Sequence, residues 1–182
     1  MKKIIVLSAP SGGGKTVVSN HILQKCSNVE FSISSTTRPK REGEVDGQHY
    51  HFLEREEFER RIANGEFIEY EEIFGNLYGT LKSEVERITA KGSVVLFDID
   101  VKGAYSIRDE YGDDTMLIFL QPPSMEVLRE RLEKRNTETA VQINRRLNRA
   151  AEEIYLSKDF DYVIVNDVLS ETLREVERIL EI

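Results

Sequence analysis

The stretch Ala9-Pro10-Ser11-Gly12-Gly13-Gly14-Lys15-Thr16 restricts what this chain can fold into more than any other. It lies between a short β-branched apolar run, Lys3 to Leu7, and a run from Thr16 to Lys25 whose apolar residues recur at helical spacing. A phosphate-cradling loop needs this order of strand, glycine loop and helix. Successive glycines let backbone N–H groups converge on phosphate oxygens, and the helix amino terminus adds its positive dipole. Ser11, Gly12, Gly13 and Gly14 would form the loop of an ATP site, with Lys15 reaching the β- and γ-phosphates and Thr16 offering its hydroxyl to Mg²⁺. The general pattern G-x-x-x-x-G-K-[ST] asks for glycine where this chain has Ala9, so the strand-to-helix setting carries the reading as much as the letters do.

The alternation recurs along the chain. Val94 to Ile99 reads as a buried strand before a helix at Val101 to Glu110, Met116 to Leu120 as one before Met125 to Arg135, and Tyr162 to Val165 as one before Glu171 to Leu180. Strands alternating with helices predict an α/β fold, a P-loop NTPase-type parallel sheet with helices on both faces. Asp98 and Asp100 then stand at the end of the second buried strand, where acids can hold metal-bound water or substrate hydroxyls. Two stretches break the rhythm. Residues from about 34 to 91 contain short alternating strands, Gln48 to Phe52 and Glu66 to Phe74, a Gly75-Asn76 turn, and a helix at Glu54 to Ala63 ended by Gly65, which predicts a small mixed α+β lobe. Residues from about 125 to 154 predict an arginine-rich helical insertion. With 182 residues, against roughly 150 per domain, a single unit is expected, its core made of about 1–33, 92–124 and 155–182.

Acidic side chains outnumber basic ones 33 to 25, a formal charge of −8, which disfavours a general nucleic-acid-binding role and requires any anionic ligand to be held by a local basic site. A single cysteine, Cys26, allows no internal disulfide and no thiolate cluster, so a reducing compartment, the cytoplasm, is expected. The apolar runs Ile4 to Leu7 and Val94 to Phe97 fall far short of the roughly 20 residues that span a bilayer, and no membrane association is expected. His21, His49 and His51 have no metal-ligand spacing with one another or with the cysteine.

Several blocks beyond the loop carry a family resemblance. Ser11 to Thr16, Ser34-Ser35-Thr36-Thr37-Arg38-Pro39-Lys40-Arg41, Gly43-Glu44-Val45-Asp46-Gly47, Gly75-Asn76-Leu77-Tyr78-Gly79-Thr80, Asp98-Ile99-Asp100-Val101-Lys102-Gly103-Ala104 and Val165-Asn166-Asp167 are similar, in order and spacing, to guanylate kinases, over essentially the whole chain. The resemblance implies that the mixed lobe binds GMP and that the helical insertion is a lid. Arg38 and Arg41, with the Tyr50 and Tyr78 hydroxyls, match the family's GMP-phosphate ligands, and guanidinium forks suit phosphate in shape and charge. Glu69 matches the guanine reader: a carboxylate accepts from N1–H and N2–H together, whereas adenine offers an unprotonated N1 and no N2 amine. Ser34 and Thr80 would donate to O6, and Asp98 would orient GMP. Arg131, Arg135 and Arg146 resemble the lid arginines, and Asn166 the residue near adenine. Taken singly, Glu69 reads as a water-facing strand carboxylate, Tyr50 and Tyr78 as packing residues, and Arg38 and Arg41 as loop cations; only the ensemble makes a site. The chain departs from the family wording at Asn136, where glycine is frequent, and at Val168, where another acid often stands.

The expectation is therefore Mg²⁺-dependent transfer of the ATP γ-phosphoryl to GMP, giving ADP and GDP, with Lys15, Arg38, Arg41, Arg135 and Arg146 stabilising transferring charge and Thr16, Asp98 and Asp100 serving the metal, the acids through water. Two alternatives stay open at this point. One is a guanylate-kinase-like protein-binding module, whose mark is a degraded phosphate loop; the other is a related P-loop kinase with a different phosphorylated acceptor.

Overall fold

A computed structural model describes residues 2–73, 75–134 and 139–182. Five strands form a wholly parallel sheet: β1 (Ile4–Ser8), β2 (Val29–Phe31), β7 (Val94–Asp98), β8 (Thr115–Gln121) and β9 (Tyr162–Val165), ordered β2-β7-β1-β8-β9. Alternate residues of its three central strands supply two separate cores, which explains why these strands read as unbroken apolar runs. Ile5, Leu7, Leu96, Ile118 and Leu120 face helix α1 (Lys15–Lys25) through Val18 and Ile22, and the carboxyl-terminal helix α7 (Leu169–Leu180) through Val176 and Leu180. Ile4, Val6, Val95, Phe97, Leu117 and Phe119 face α3 (Lys82–Thr89) through Val85 and Ile88, and α4 (Val101–Tyr111) through Ala104 and Ile107. The expected sheet with helices on both faces is present.

Between β2 and β7 the chain builds a second sheet, ordered β4-β3-β6-β5, from β3 (Ser35–Thr36), β4 (His51–Phe52), β5 (Phe67–Ile73) and β6 (Asn76–Leu81). Helix α2 (Arg55–Ala63) packs on it: Phe58 stacks on Phe67 with ring centroids 4.2 Å apart, beside Leu77 and Leu81. The β5–β6 hairpin turns at Gly75, whose φ of 79° is the left-handed conformation glycine takes without a Cβ penalty. A register shift lies between Phe67 and Glu69. That bulge keeps Phe67 on the lobe's core while Glu69 is paired across from Thr80.

Three expectations of element boundaries change. The strand predicted over Gln48 to Phe52 shrinks to His51–Phe52, because residues 45–49 close a turn of their own: the Gln48 and His49 amides both donate to Val45 O, and the Val45 amide donates to His49 Nδ1. Strand β2 and helix α3 are additional; β2 has three residues, too few to show a period, and α3 buries Glu84 beside Val85 and Ile88, which masks its apolar stripe. The helical insertion divides into α5 (Met125–Glu133) and α6 (Ala140–Leu156), which share a small core of Leu128, Leu132, Ile143, Leu147 and Ala150. Asn136 and Arg135 lie outside the described residues.

Candidate active site

The loop after β1 sits at the carboxyl end of the parallel sheet. There β1 is flanked by β7 on one side and β8 on the other, the switch point at which such sheets open a crevice. Gly14 (φ 91°) is the residue that starts α1, and two of the three glycines tolerate no side chain. A Cβ on Gly13 would lie 2.8 Å from Ala9 Cβ and 2.9 Å from Pro10 O; one on Gly14 would lie 2.6 Å from Asn166 Nδ2. That second approach is tight because the Asn166 amide donates to Gly13 O at 2.8 Å. Asn166 is itself buried, and its Oδ1 accepts from Thr172 Oγ1 at 2.9 Å. The side chain expected beside adenine is therefore committed to the loop backbone. Arg131 donates to Asn166 O at 2.9 Å, and the Arg146 guanidinium donates to the Ser11 hydroxyl, so both arginines converge on the loop from the helical insertion.

Strand pairing places Asp98 next to Leu7, and Lys15 Nζ meets Asp98 Oδ1 at 2.9 Å. Thr16 stands exposed in the first turn of α1. Asp100 is occupied on both oxygens: Oδ1 accepts from the Gly103 amide at 2.8 Å as the cap of α4, and Oδ2 accepts from Arg149 Nη2 at 2.7 Å. Among the described residues no three His, Cys, Asp or Glu side chains converge as a metal-holding group. The available donors, a hydroxyl and a carboxylate, are hard oxygens of the kind Mg²⁺ takes, and one or two protein oxygens suffice for an ion that brings its own waters and the phosphates of its nucleotide.

Across from this loop, Ser34, Tyr50, Glu69, Tyr78 and Asp98 line one cleft of about 250 Å³. Glu69 Oε1 accepts from Thr80 Oγ1 at 2.6 Å. Burial holds the Glu69 carboxyl above the ordinary carboxylate range against the pull of that hydrogen bond, and the neighbouring Asp100 and Glu71 add to the rise. Thr80, expected to donate to a bound base, is fully buried behind Glu69 and donates to it instead. Gly79 lets the two strands come this close, since a Cβ there would lie 2.6 Å from Glu69 O. Behind Tyr50 of this cleft, and not among its lining residues, the Arg38 guanidinium lies 5.5 Å from the Tyr50 ring centre and forks onto Glu44 through Nη2–Oε1 (2.7 Å) and Nη1–Oε2 (3.1 Å). That fork, with the Arg41 amide on Glu44 Oε2, holds the Glu44 carboxyl down at about 2. Burial pushes the Tyr50 phenol up, and its ring meets Tyr78 edge-on at 6.0 Å. Arg41 is exposed in the loop alongside.

Two further residues belong to this neighbourhood. Glu44 fixes the direction of Arg38, and its signal was its place within the Gly43–Gly47 block. Arg149, one cation among several in a helical run, could not be told from its neighbours by spacing; the fold alone brings it onto Asp100.

A glycine loop clamped at the mouth of a parallel sheet, with a lysine on its rim, defines a P-loop nucleotide-binding protein. A family model described as guanylate kinase matches residues 1–182. The guanylate kinase of Chlorobium chlorochromatii is 49% identical over 175 residues, covering 96% of this chain and 92% of that protein, and that of Porphyromonas gingivalis is 47% identical over 180 residues, covering 98% and 96%. The crystal structure of guanylate kinase from Anaplasma phagocytophilum aligns with a TM-score of 0.75 at 39% identity, over 99% of this chain and 85% of that one. The chain belongs to the guanylate kinase family.

Proposed function

We propose that this protein is an ATP:GMP phosphotransferase, moving the γ-phosphoryl of Mg-ATP directly onto the phosphate of GMP. The observation that carries the reading is the pairing of two sites of different chemistry at one sheet end: the Lys15–Asp98 rim of the phosphate loop, and a cleft that presents the Glu69 carboxyl with Ser34, Tyr50 and Tyr78. A glycine loop that admits no Cβ at Gly13 and Gly14 argues against the binding-module alternative, in which that loop has no task. The acceptor-reading carboxylate argues against a kinase acting on a non-guanine acceptor.

In this reading the loop amides and Lys15 hold the triphosphate, and Mg²⁺ arriving with ATP would supply charge neutralisation there. Thr16 and Asp98 are the residues that would meet the ion, with Asp98 also orienting GMP and Asp100 acting at one remove as the cap of α4. Arg38, pre-aimed by Glu44, and Arg41 take the GMP phosphate with Tyr50 and Tyr78, while Glu69 takes the base and Ser34 its O6. Arg146 on the Ser11 side of the loop, and Arg135, then stabilise the transferring group. Arg131 and Asn166 serve ATP by holding the loop. No general base is needed, because the GMP phosphate, with a second pKa of about 6, is already ionised near neutral pH. We place residues 34–91 as the GMP lobe and 125–154 as the lid of a single unit, and the protein in the cytoplasm, where both nucleotides are available and the buried, unpaired Cys26 stays reduced. Among the described residues no helix is long and apolar enough to cross a membrane.

Lys15→Ala tests the loop's role. Loss of nearly all GMP-dependent turnover, with unchanged circular dichroism and thermal unfolding, is expected; turnover at the parent rate would overturn the reading.

A further inference from the structure

One guanidinium touches three parts of the molecule. Arg149 projects from α6, where its Nε pairs with Glu153 Oε1 at 2.9 Å one turn along the same helix. Its Nη2 donates to Asp100 Oδ2 at 2.7 Å, on the segment joining β7 to α4, and lies 3.5 Å from Glu71 Oε2 on β5. Asp100 is anchored to the parallel sheet's helix layer by its cap on α4, and Glu71 belongs to the second sheet, two residues along the strand from Glu69. Arg149 lines the cleft at Lys15 and Ser11 and also the cleft at Glu69. It is therefore a side chain at which helical insertion, core and second sheet meet.

The chemistry of the contacts fits something made and released in each cycle. Arg149 and Glu71 are both about half exposed, at 47% and 46% of their side chains, and their separation is that of a loose pair. Such pairs contribute little to fold stability. The guanidinium's fork can hold two carboxylates at once, which an ammonium point charge cannot do with the same geometry. The two acids that Arg149 holds, Asp100 and Glu71, are also the ones whose charge is felt by the Glu69 carboxyl.

We propose that Arg149 is a positioning residue that couples the two nucleotide sites, so that ATP held under α6 tightens GMP held by the second sheet, and the reverse. This rests on the reading that ATP occupies the loop and GMP the Glu69 cleft. Coupling between sites is reciprocal and is measured as the factor by which one ligand changes the affinity for the other.

The test is calorimetric titration of GMP into the intact protein with and without a saturating non-hydrolysable ATP analogue and Mg²⁺. The parent protein is expected to bind GMP several-fold more tightly when the analogue is present. R149M should bring that factor close to one while leaving the affinity for GMP alone within about twofold, and R149K should retain part of it. E71Q should lower the factor in the parent and have no further effect in R149M. An unchanged factor in folded R149M, independent effects of the two changes, or a parent factor of one would each overturn the coupling. If R149M does not fold, E71Q, exposed and remote from any core, decides: an unchanged factor there overturns the proposal and a lowered one supports it. Failure of the parent to bind GMP at all would instead remove the functional reading beneath it.

Discussion

Glu69 is charged only at a cost, and the cost is informative. Burial, with Asp100 and Glu71 nearby, lifts its carboxyl above the ordinary range although Thr80 donates to it. An acid whose folded-state pKa is raised favours the fold while protonated and opposes it once ionised, so in the proposed reading any ionised Glu69 that meets a base does so at the expense of stability. Two consequences follow at this residue. KM for GMP should rise as pH falls through Glu69's raised value, because protonation removes one of its two acceptors, whereas a KM flat down to the ordinary carboxylate range would contradict the assignment. Glu69→Gln should raise KM for GMP at least tenfold at neutral pH, consistent with losing a charge-assisted hydrogen bond of about 1.5–3 kcal/mol, while its thermal midpoint stays level or rises. Steady-state kinetics across pH and a melting curve check both. In the sequence Glu69 stands among four acids from Glu66 to Glu72, and only its family position marked it. The physical mark, a bulge after Phe67 that sets it opposite Thr80, is a property of strand pairing that no local pattern contains.

The elements divide by how local their causes are. The glycine loop was legible because its chemistry is written in consecutive residues, and β1, β7 and β8 were legible because strands buried on both faces are continuously apolar. Helix α3 was not, since a buried glutamate sits on its inner face. Glu84 there accepts from Arg87 and lies 3.2 Å from His51 Nε2 of β4, tying the second sheet to a core helix. Burial opposes the ionised form, yet the hydrogen bonds from Arg87 and His51 prevail and leave its pKa lowered. With a lowered folded-state pKa, its stabilising contribution is complete above the ordinary carboxylate range and is lost as pH falls through the folded value. Glu84→Gln is accordingly expected to destabilise by about 1–3 kcal/mol at neutral pH, and by less under acid conditions, in denaturant unfolding. Gly14→Ala belongs to the same scale. A left-handed alanine costs about 1–2 kcal/mol, and the new Cβ must also displace the Asn166 amide from Gly13 O, so both the melting temperature and ATP affinity should fall. An alanine variant with parent ATP affinity would show that the clamp is dispensable.

At the scale of the whole molecule, a parallel sheet provides a fixed floor, and two additions, a second sheet and a helical pair, stand at its carboxyl end. Asp46–Tyr50 and the Arg38–Glu44 fork each join residues within or beside neighbouring blocks, which is why that part of the ensemble could be assembled from sequence, whereas the Lys15–Asp98 pair spans two distant ones. Contacts that join separate blocks, Arg149 to Asp100 and Asn166 to Gly13, depend on how the chain returns, and sequence spacing says nothing of them. The same geometry sets the central claim, that a phosphate loop faces a guanine-reading cleft. The most direct test is ADP production from Mg-ATP by the purified protein with GMP, dGMP, AMP, CMP and UMP supplied singly, beside an acceptor-free control. Turnover with GMP far above that with AMP, CMP, UMP and the control is the predicted result. Equal turnover with AMP, or ATP binding with no transfer to any of the five, would contradict it.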